Sequence, residues 1–265
     1  YMIVGIDLGT STSEIAALKN GKPFIIPNHL GEIITPSVIG KVEDGSIIIG
    51  QEAKDQFLAK PYDTTIEVKR HMGKNNTILL SGKPYTPQAL SAEILKYLKK
   101  CAEDYLGEKA ERAVITVPAY FTDEQRRATV EAGRLAGLKV ERIINEPTAA
   151  ALAYGLEHLE EEAHVLVYDL GGGTLDVTLL EMFDGVLEVK ASSGNNELGG
   201  KDFDERLIQH LVDLFYKEHG IHLDEDMYAM SRLKKAAEEC KKALTYQKTY
   251  LVQLPFIANK NGAPI

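Results

Sequence analysis

The chain of 265 residues has no tryptophan and only two cysteines, Cys101 and Cys240. Neither has metal-ligand spacing and both fall in helix-like segments, so we expect two buried or half-buried thiols in a reducing compartment. No apolar run reaches membrane-spanning length and no signal-peptide pattern occurs, which predicts a cytoplasmic location and no membrane partner. Basic residues are also fewer than acidic ones, 30 against 39. The net charge of −9 argues against nucleic acid as a partner.

Two common nucleotide-binding signatures are missing, the phosphate-binding loop and the Gly-rich dinucleotide fingerprint. Instead the chain contains two related segments, residues 5–18 (GIDLGTSTSEIAAL) and 167–180 (VYDLGGGTLDVTLL), 162 positions apart (169 minus 7). In each, an apolar strand delivers an aspartate, a Gly/Thr/Ser turn follows, and a second apolar strand begins. Such a hairpin directs N–H groups and hydroxyls into a space suited to phosphate. The repeat predicts two related lobes that hold one nucleotide.

The turn residues are the candidate phosphate contacts, because glycine lets an anion approach the main chain and hydroxyls add donors. The candidates in the two turns are Gly9, Thr10, Ser11, Thr12, Gly171, Gly172, Gly173 and Thr174. Ordinary hairpin turns are the alternative for either segment alone. The presence of two copies favours the nucleotide interpretation.

The two aspartates of the repeat, Asp7 and Asp169, indicate a cation. A carboxylate about 4 Å from a phosphate charge is repelled by roughly 1–4 kcal/mol. A Mg²⁺ ion between them reverses the sign, and because magnesium keeps several waters we expect both aspartates to hold it through water. A turn-capping role for each is the alternative.

Three further charged residues are candidates for the same site. Lys69 could contact phosphate as a compact point charge, although its local sequence by itself favours an ordinary surface lysine. Glu146 begins a predicted helix, where a carboxylate complements the helix dipole; its functional alternative is to orient a water or the metal shell. Asp176 lies just beyond the second turn.

Hydrophobic periodicity predicts a mixed α/β chain. The predicted strands are 2–8, 12–18, 24–27, 35–39, 46–49, 113–117, 140–144, 164–169, 174–181, 185–192 and 249–257. The predicted helices are 87–106, 123–136, 146–155, 203–218 and 227–244. Thr86 and Thr122 are the expected N-caps of the first two, which Gly107 and Gly137 end.

Composition also suggests a division into two lobes. The first would be residues 1–162, with a small inserted subdomain at about 37–86. The second would be residues 163–265, a meander followed by a helical subdomain from about 200, with the acidic stretch 157–162 as the connection. Residues 259–262 resemble a hairpin turn whose second strand would follow Ile265. We therefore expect the second lobe to be incomplete and the chain to be truncated.

Taken together, these segments resemble the ATPase domain of DnaK-type heat-shock-protein-70 chaperones. The matching stretches are 5–10, 35–37, 68–70, 113–121 (AVITVPAYF), 123–127, 143–155 (IINEPTAAALAYG), 168–176 (YDLGGGTLD), 198–204 (LGGKDFD) and 232–244. The resemblance covers essentially the whole chain. It implies an actin-like, RNase H-like ATPase fold of two lobes, with ATP or ADP and Mg²⁺ as cofactors. The implied reaction is hydrolysis of ATP to ADP and phosphate, which controls a peptide-binding domain absent from this sequence.

The resemblance also implies residue roles. Lys69 would position the attacking water. The residues that would organise Mg²⁺ and its waters are Asp7, Glu146, Asp169 and Asp176. The β- and γ-phosphates would meet Thr10, Ser11, Thr12 and Thr174, and the glycines that would line them are Gly171, Gly172, Gly173, Gly199 and Gly200. Adenosine would be held by Glu238, Lys241 and Thr245, and Pro118 and Arg126 would relay the nucleotide state.

The partners implied by the resemblance are a J-domain co-chaperone, a nucleotide exchange factor and unfolded polypeptide. The family's second adenosine loop is not found in this sequence, so we expect this chain to bind nucleotide weakly or not at all and to be inactive by itself. Two rival interpretations remain within the superfamily. One is a sugar or glycerol kinase; the other is an actin-like filament subunit or nucleotide-sensing pseudo-ATPase.

Overall fold

A computed structural model describes residues 2–155 and 162–265 of the chain. Its first part is built around a six-stranded sheet with helices packed against it. The elements of this part are β1 (Met2–Leu8), β2 (Thr12–Lys19), β3 (Lys22–Ile25), β4 (Thr35–Pro36), β5 (Ile39–Lys41), β6 (Ile47–Ile49), α1 (Gln51–Gln56), β7 (Thr64–Thr65), β8 (Ile78–Leu80), β9 (Lys83–Tyr85), α2 (Pro87–Leu106), β10 (Ala110–Val117), α3 (Asp123–Leu135), β11 (Lys139–Asn145) and α4 (Glu146–Gly155).

The sheet order is β11-β10-β1-β2-β3, with β4 paired to β2. β1, β10 and β11 run parallel, whereas β2 is antiparallel to β1. Alternate strand residues such as Ile6 and Ile115 are buried in one core with Leu95 and Leu98 of α2. Because the carboxyl ends of parallel strands share one edge, Asp7 and Glu146 lie at the same edge of the sheet.

Local signals explain where the main helices begin and end. The Thr86 hydroxyl accepts a hydrogen bond from the N–H of Ala89 at 3.2 Å, and Gly107 ends α2 with φ 73°. Thr122 and Gln125 form a reciprocal capping box at the start of α3. The predicted N-caps of both helices are confirmed.

The second part contains a three-stranded antiparallel meander and a pair of helices. Its elements are β12 (Ala163–Leu170), β13 (Leu175–Phe183), β14 (Val186–Asn195), α5 (Gly200–His219), α6 (Met227–Leu244), β15 (Asn259–Lys260) and β16 (Ala263–Pro264). α4 contacts β12 and β13, and Leu180 and Met182 are buried. α5 and α6 share a separate small core around Ile208 and Leu233.

The predicted strand at 249–257 is wrong. Residues 249–254 form neither strand nor helix. Leu254 and Ile257 instead pack individually against the core of α5 and α6. The Arg232 guanidinium donates to the carbonyls of Pro255 and Phe256 at 2.7 and 3.2 Å. These carbonyls are thereby satisfied without a neighbouring strand.

The predicted second strand beyond Ile265 is also wrong, because the hairpin closes before that residue. Lys260 pairs with Ala263, and Asn261 and Gly262 form the two-residue turn with φ 52° and 82°. Two positive φ values are what a tight hairpin turn requires.

Both cysteines are buried, as predicted. In the described ranges no helix is long and apolar enough to cross a membrane. The predicted acidic connection lies, except for residue 162, outside the described residues. The proposed lobe boundaries therefore stay a prediction.

Candidate functional site

The first turn of the repeat, between β1 and β2, is fixed by a buried serine. The Ser37 hydroxyl donates to the carbonyl of Gly9 at 2.8 Å, and the backbone N–H of Ser37 donates to the carbonyl of Ser11 at 2.9 Å. Ser13 is hydrogen bonded to the same hydroxyl at 2.8 Å. A side chain at Gly9 would collide with the carbonyl of Thr12, so the turn needs glycine there. Thr12 itself is exposed at the start of β2.

The second turn, between β12 and β13, is fixed by the start of a helix. The N–H of Gly171 donates to the carbonyl of Thr174 at 2.9 Å. The carbonyls of Gly171 and Gly172 accept from the N–H groups of Gly200 and Lys201, both at 2.9 Å. The first N–H groups of α5, which have no partner within a helix, therefore hold this turn in place.

The two turns meet directly. A Cβ on Gly172 would collide with the hydroxyl of Ser11, and a Cβ on Gly173 would lie 2.7 Å from the hydroxyl oxygen of Thr10. Gly199 is equally confined, since a Cβ there would lie 2.6 Å from the carbonyl oxygen of Gly172. The structure thus brings both repeats to one cleft.

Lys69 lies in this cleft and not on the surface, so the surface-lysine interpretation is wrong. A 3₁₀ turn at Val68–His71, preceded by Glu67 with φ 59°, directs it inward. Its ammonium is 2.7 Å from Glu146 Oε1, and the side chain is only 8% exposed. The ammonium also lies 5.6 Å from the ring centre of Phe121.

The carboxylates form an electrostatically crowded group around that lysine. Burial raises the pKa of Glu146; Lys69 opposes the shift, whereas Asp7 and Asp169 add to it. Burial and the charge of Asp7 likewise raise the pKa of Asp169. Burial raises the pKa of Asp176, which accepts a hydrogen bond from the N–H of Tyr120 at 3.2 Å. Asp7, Glu146 and Asp169 are therefore near enough for their charges to act on one another, and the metal role of the two aspartates stays a prediction.

This group fits a magnesium ion held through water. The group has four carboxylates and one ammonium, so its ionised form has an excess of negative charge that a cation would offset. Oxygen donors are the ligands that Mg²⁺ prefers. Within residues 2–155 and 162–265, no three acidic, histidine or cysteine side chains come close enough to hold a metal directly.

A wide cavity of about 410 Å³ opens beside the first turn. Its walls include Thr10, Ser11, Thr12, Lys54, Lys201 and Glu238. Burial acts to raise the pKa of Glu238, but Lys242, Lys201 and Lys54 hold it at about 2. Lys54 reaches it from α1 at 3.6 Å, across the cleft. Glu238 is thus an ionised acceptor in this cavity.

The other two residues predicted to contact adenosine, Lys241 and Thr245, are not among the wall residues of this cavity. Lys241 is 2.7 Å from Asp204 Oδ1 and donates to the carbonyl of Gly200 at 2.9 Å, so its ammonium supports the start of α5. Thr245 is exposed, and its hydroxyl donates to the carbonyl of Lys241 at 3.5 Å. Their assignment to adenosine stays a prediction.

A second, narrow cavity of about 310 Å³ contains residues that the sequence did not single out. Thr10, Lys69 and Thr174 line it together with Arg70, Asn196 and Asp202. Arg70 donates to both carboxylate oxygens of Asp202, at 3.2 and 2.5 Å. The sequence contains two features that point to this pair. Arg70 directly follows Lys69, and Asp202 lies three residues after Gly199, a position where a carboxylate can cap a helix.

The predicted relay residues lie next to the carboxylate group. The Arg126 guanidinium donates to Asn145 Oδ1 at 2.8 Å and to the carbonyls of Ala119 and Phe121 at 3.0 and 3.1 Å. It also reaches the Pro118 carbonyl at 3.5 Å. Arg126 therefore ties the segment after β10 to the residue that precedes Glu146.

Comparison with known protein families agrees with this geometry. The family model described as "Hsp70 protein" matches residues 3–79 and 74–264. The matched ranges include both turns, Lys69, the carboxylates and α6. The predicted actin-like α/β ATPase fold is confirmed, and a chaperone ATPase type of function is supported. The chain belongs to the Hsp70 family.

Proposed function

We propose that this chain binds MgATP and MgADP between its two turns and hydrolyses ATP to ADP and phosphate. The observation that carries the proposal is the buried Lys69–Glu146 pair at 2.7 Å, set beside Asp7 and Asp169 where the two turns meet. Phosphoryl transfer to water needs chiefly positioning and charge stabilisation, which such a group supplies.

Each residue has a distinct task in this proposal. The N–H groups of Gly172 and Gly173 and the hydroxyls of Thr10, Ser11 and Thr174 bind the phosphates. Glu146 fixes the ammonium of Lys69, which orients the attacking water. Asp7 and Asp169 hold the waters of the magnesium ion. When bound, Mg²⁺ neutralises charge on the leaving phosphate.

Binding of the nucleoside uses the wide cavity. Its hydroxyl-lined wall is continuous with the first turn, and the ionised Glu238 can accept hydrogen bonds from ribose hydroxyls. We place the activity in the cytoplasm as part of heat-shock protein folding. Its nucleotide state would control a peptide-binding domain that receives unfolded polypeptide, with a J-domain co-chaperone and an exchange factor as partners.

The proposal is tested by calorimetry with MgADP and by single-turnover hydrolysis of MgATP. Lys69→Ala should lower hydrolysis by roughly 10²–10⁴-fold, the range for a positioned catalytic group, and change MgADP affinity little. Lys22→Ala removes the same charge from an exposed strand and serves as the control.

Hydrolysis that survives Lys69→Ala would contradict its role, and absence of magnesium-dependent nucleotide binding would overturn the whole proposal. Phosphoryl transfer to glycerol would favour the kinase interpretation. Sedimentation that increases with MgATP and protein concentration would favour a filament subunit.

A further inference from the structure

The narrow cavity runs from a buried end to solvent. Lys69 at one end is 8% exposed, whereas the side chains of Lys74 and Glu197 are 54% and 81% exposed. The buried end includes Thr10 and Thr174, which are proposed to contact the terminal phosphate. Thr10 also lines the wide cavity, so this side chain lies between the two cavities. A group released at Lys69 therefore has a route to solvent that does not pass the nucleoside.

The lining of this route suits a small oxyanion. Three cationic side chains, those of Lys69, Arg70 and Lys74, line it against two carboxylates, so one positive charge is in excess. Its volume of about 310 Å³ equals that of about ten waters at roughly 30 Å³ each, which leaves room for phosphate with part of its hydration.

One donor on the route is unsatisfied. Among the described residues, the buried Nε of Arg70 has no hydrogen-bond partner. It lies beside the second turn, where a Cβ on Gly173 would approach it to 3.0 Å. The guanidinium therefore lacks one hydrogen bond while it is paired with Asp202, and a phosphate oxygen is a strong acceptor for it once that pairing is exchanged.

Two ion pairs flank the route, and phosphate can replace the carboxylate in either. Arg70 binds Asp202 with two hydrogen bonds, and Lys74 lies 3.8 Å from Glu197. Both cations precede α2, and both carboxylates follow β14. A guanidinium fork binds phosphate with the same two-point geometry as carboxylate.

We infer that the narrow cavity is an exit compartment for inorganic phosphate. Arg70 exchanges Asp202 for the released phosphate, and Lys74 receives it at the exposed end while ADP stays in the wide cavity. The inference rests on the proposed hydrolysis of ATP. The step breaks no covalent bond.

The test is titration of the chain with inorganic phosphate in the absence of nucleotide, followed by calorimetry and ³¹P NMR. Gln125→Glu places a negative charge in the cavity and keeps the helix cap, because Glu serves in a capping box as Gln does. Lys74→Glu reverses the charge at the exposed end. Each should weaken phosphate binding roughly tenfold by Coulomb repulsion. Lys74→Arg should retain it.

The controls make the same charge changes at exposed positions outside the cavity, with Gln253→Glu before β15 and Lys83→Glu on β9, and should leave phosphate affinity unchanged. Absence of phosphate binding, or equal losses in controls and cavity variants, would overturn the inference. A separate MgADP titration distinguishes the two proposals. Phosphate binding without MgADP binding refutes the nucleotide site alone, and MgADP binding without phosphate binding refutes the exit compartment alone.

Discussion

The two sheets carry the same turn motif in different surroundings. In the six-stranded sheet Ile6 and Ile115 are 1% and 0% exposed beneath helices, whereas the meander leaves Leu166 and Tyr168 65% and 63% exposed on one face. Both turns are nevertheless well fixed, the first by Ser37 and the second by the start of α5. The comparison indicates that the turn geometry depends on the hydrogen bonds made at the turn itself more than on how its sheet is covered.

Truncation of a side chain should show the largest difference between the two sheets in the free energy of unfolding. Ile115→Ala, at a 0% exposed position on β10, should lower the free energy of unfolding by about 2–5 kcal/mol through lost burial and a cavity. Leu166→Ala should cost about 0.5 kcal/mol or less, because the side chain is already in solvent. Urea denaturation measures both. Similar losses would contradict the difference in burial.

The contact between the turns can be broken at one glycine. Gly172→Ala forces a methyl group onto Ser11 and should reduce MgADP affinity by about 5–150-fold, which corresponds to about 1–3 kcal/mol of overpacking. Gly5→Ala is the matched control, since a Cβ there meets no atom within 4 Å. Calorimetry compares the two. Unchanged affinity in Gly172→Ala would show that the turns need not touch.

The link between α1 and α6 should fail in acid. Glu238 has a lowered pKa in the folded chain, so its stabilising contribution is present above about pH 4.5 and is lost as the pH falls towards about 2. Glu238→Gln should remove on the order of 1–2 kcal/mol at pH 7, after allowance for screening at this partly exposed site. It should also flatten the loss of stability below pH 4.5. Thermal unfolding from pH 7 to 3 tests this, and an unchanged slope would contradict it.

The smallest effect concerns the carboxylates at the ends of β1 and β12. The pKa of Asp169 is raised, so its ionised form disfavours the folded state as the pH rises through that value. Asp169→Asn should therefore stabilise the metal-free chain at pH 7 by on the order of 1 kcal/mol. The gain should vanish below pH 3.8, the ordinary value for Asp. The same variant should weaken magnesium-dependent nucleotide binding. A destabilised Asp169→Asn chain would show that Asp169 is not repelled by Asp7.

Secondary structure was predictable where the signal is local. The caps of α2 and α3 follow from Thr, Gln and Gly at fixed positions, because capping bonds span only a few residues. The strand predicted at 249–257 was wrong, because an apolar run of β-prone residues does not show whether it will pair with another strand or pack against helices.

Sequence alone determined the twin turns, their two aspartates and the family to which they belong, since each depends on residues that are adjacent in the chain. Only the tertiary structure decided that Lys69 is buried against Glu146, 77 residues away, and that Arg70 is paired with Asp202, 132 residues away. These pairings depend on which strand ends share an edge of the sheet and on how closely two glycine turns can approach. Local sequence carries neither quantity.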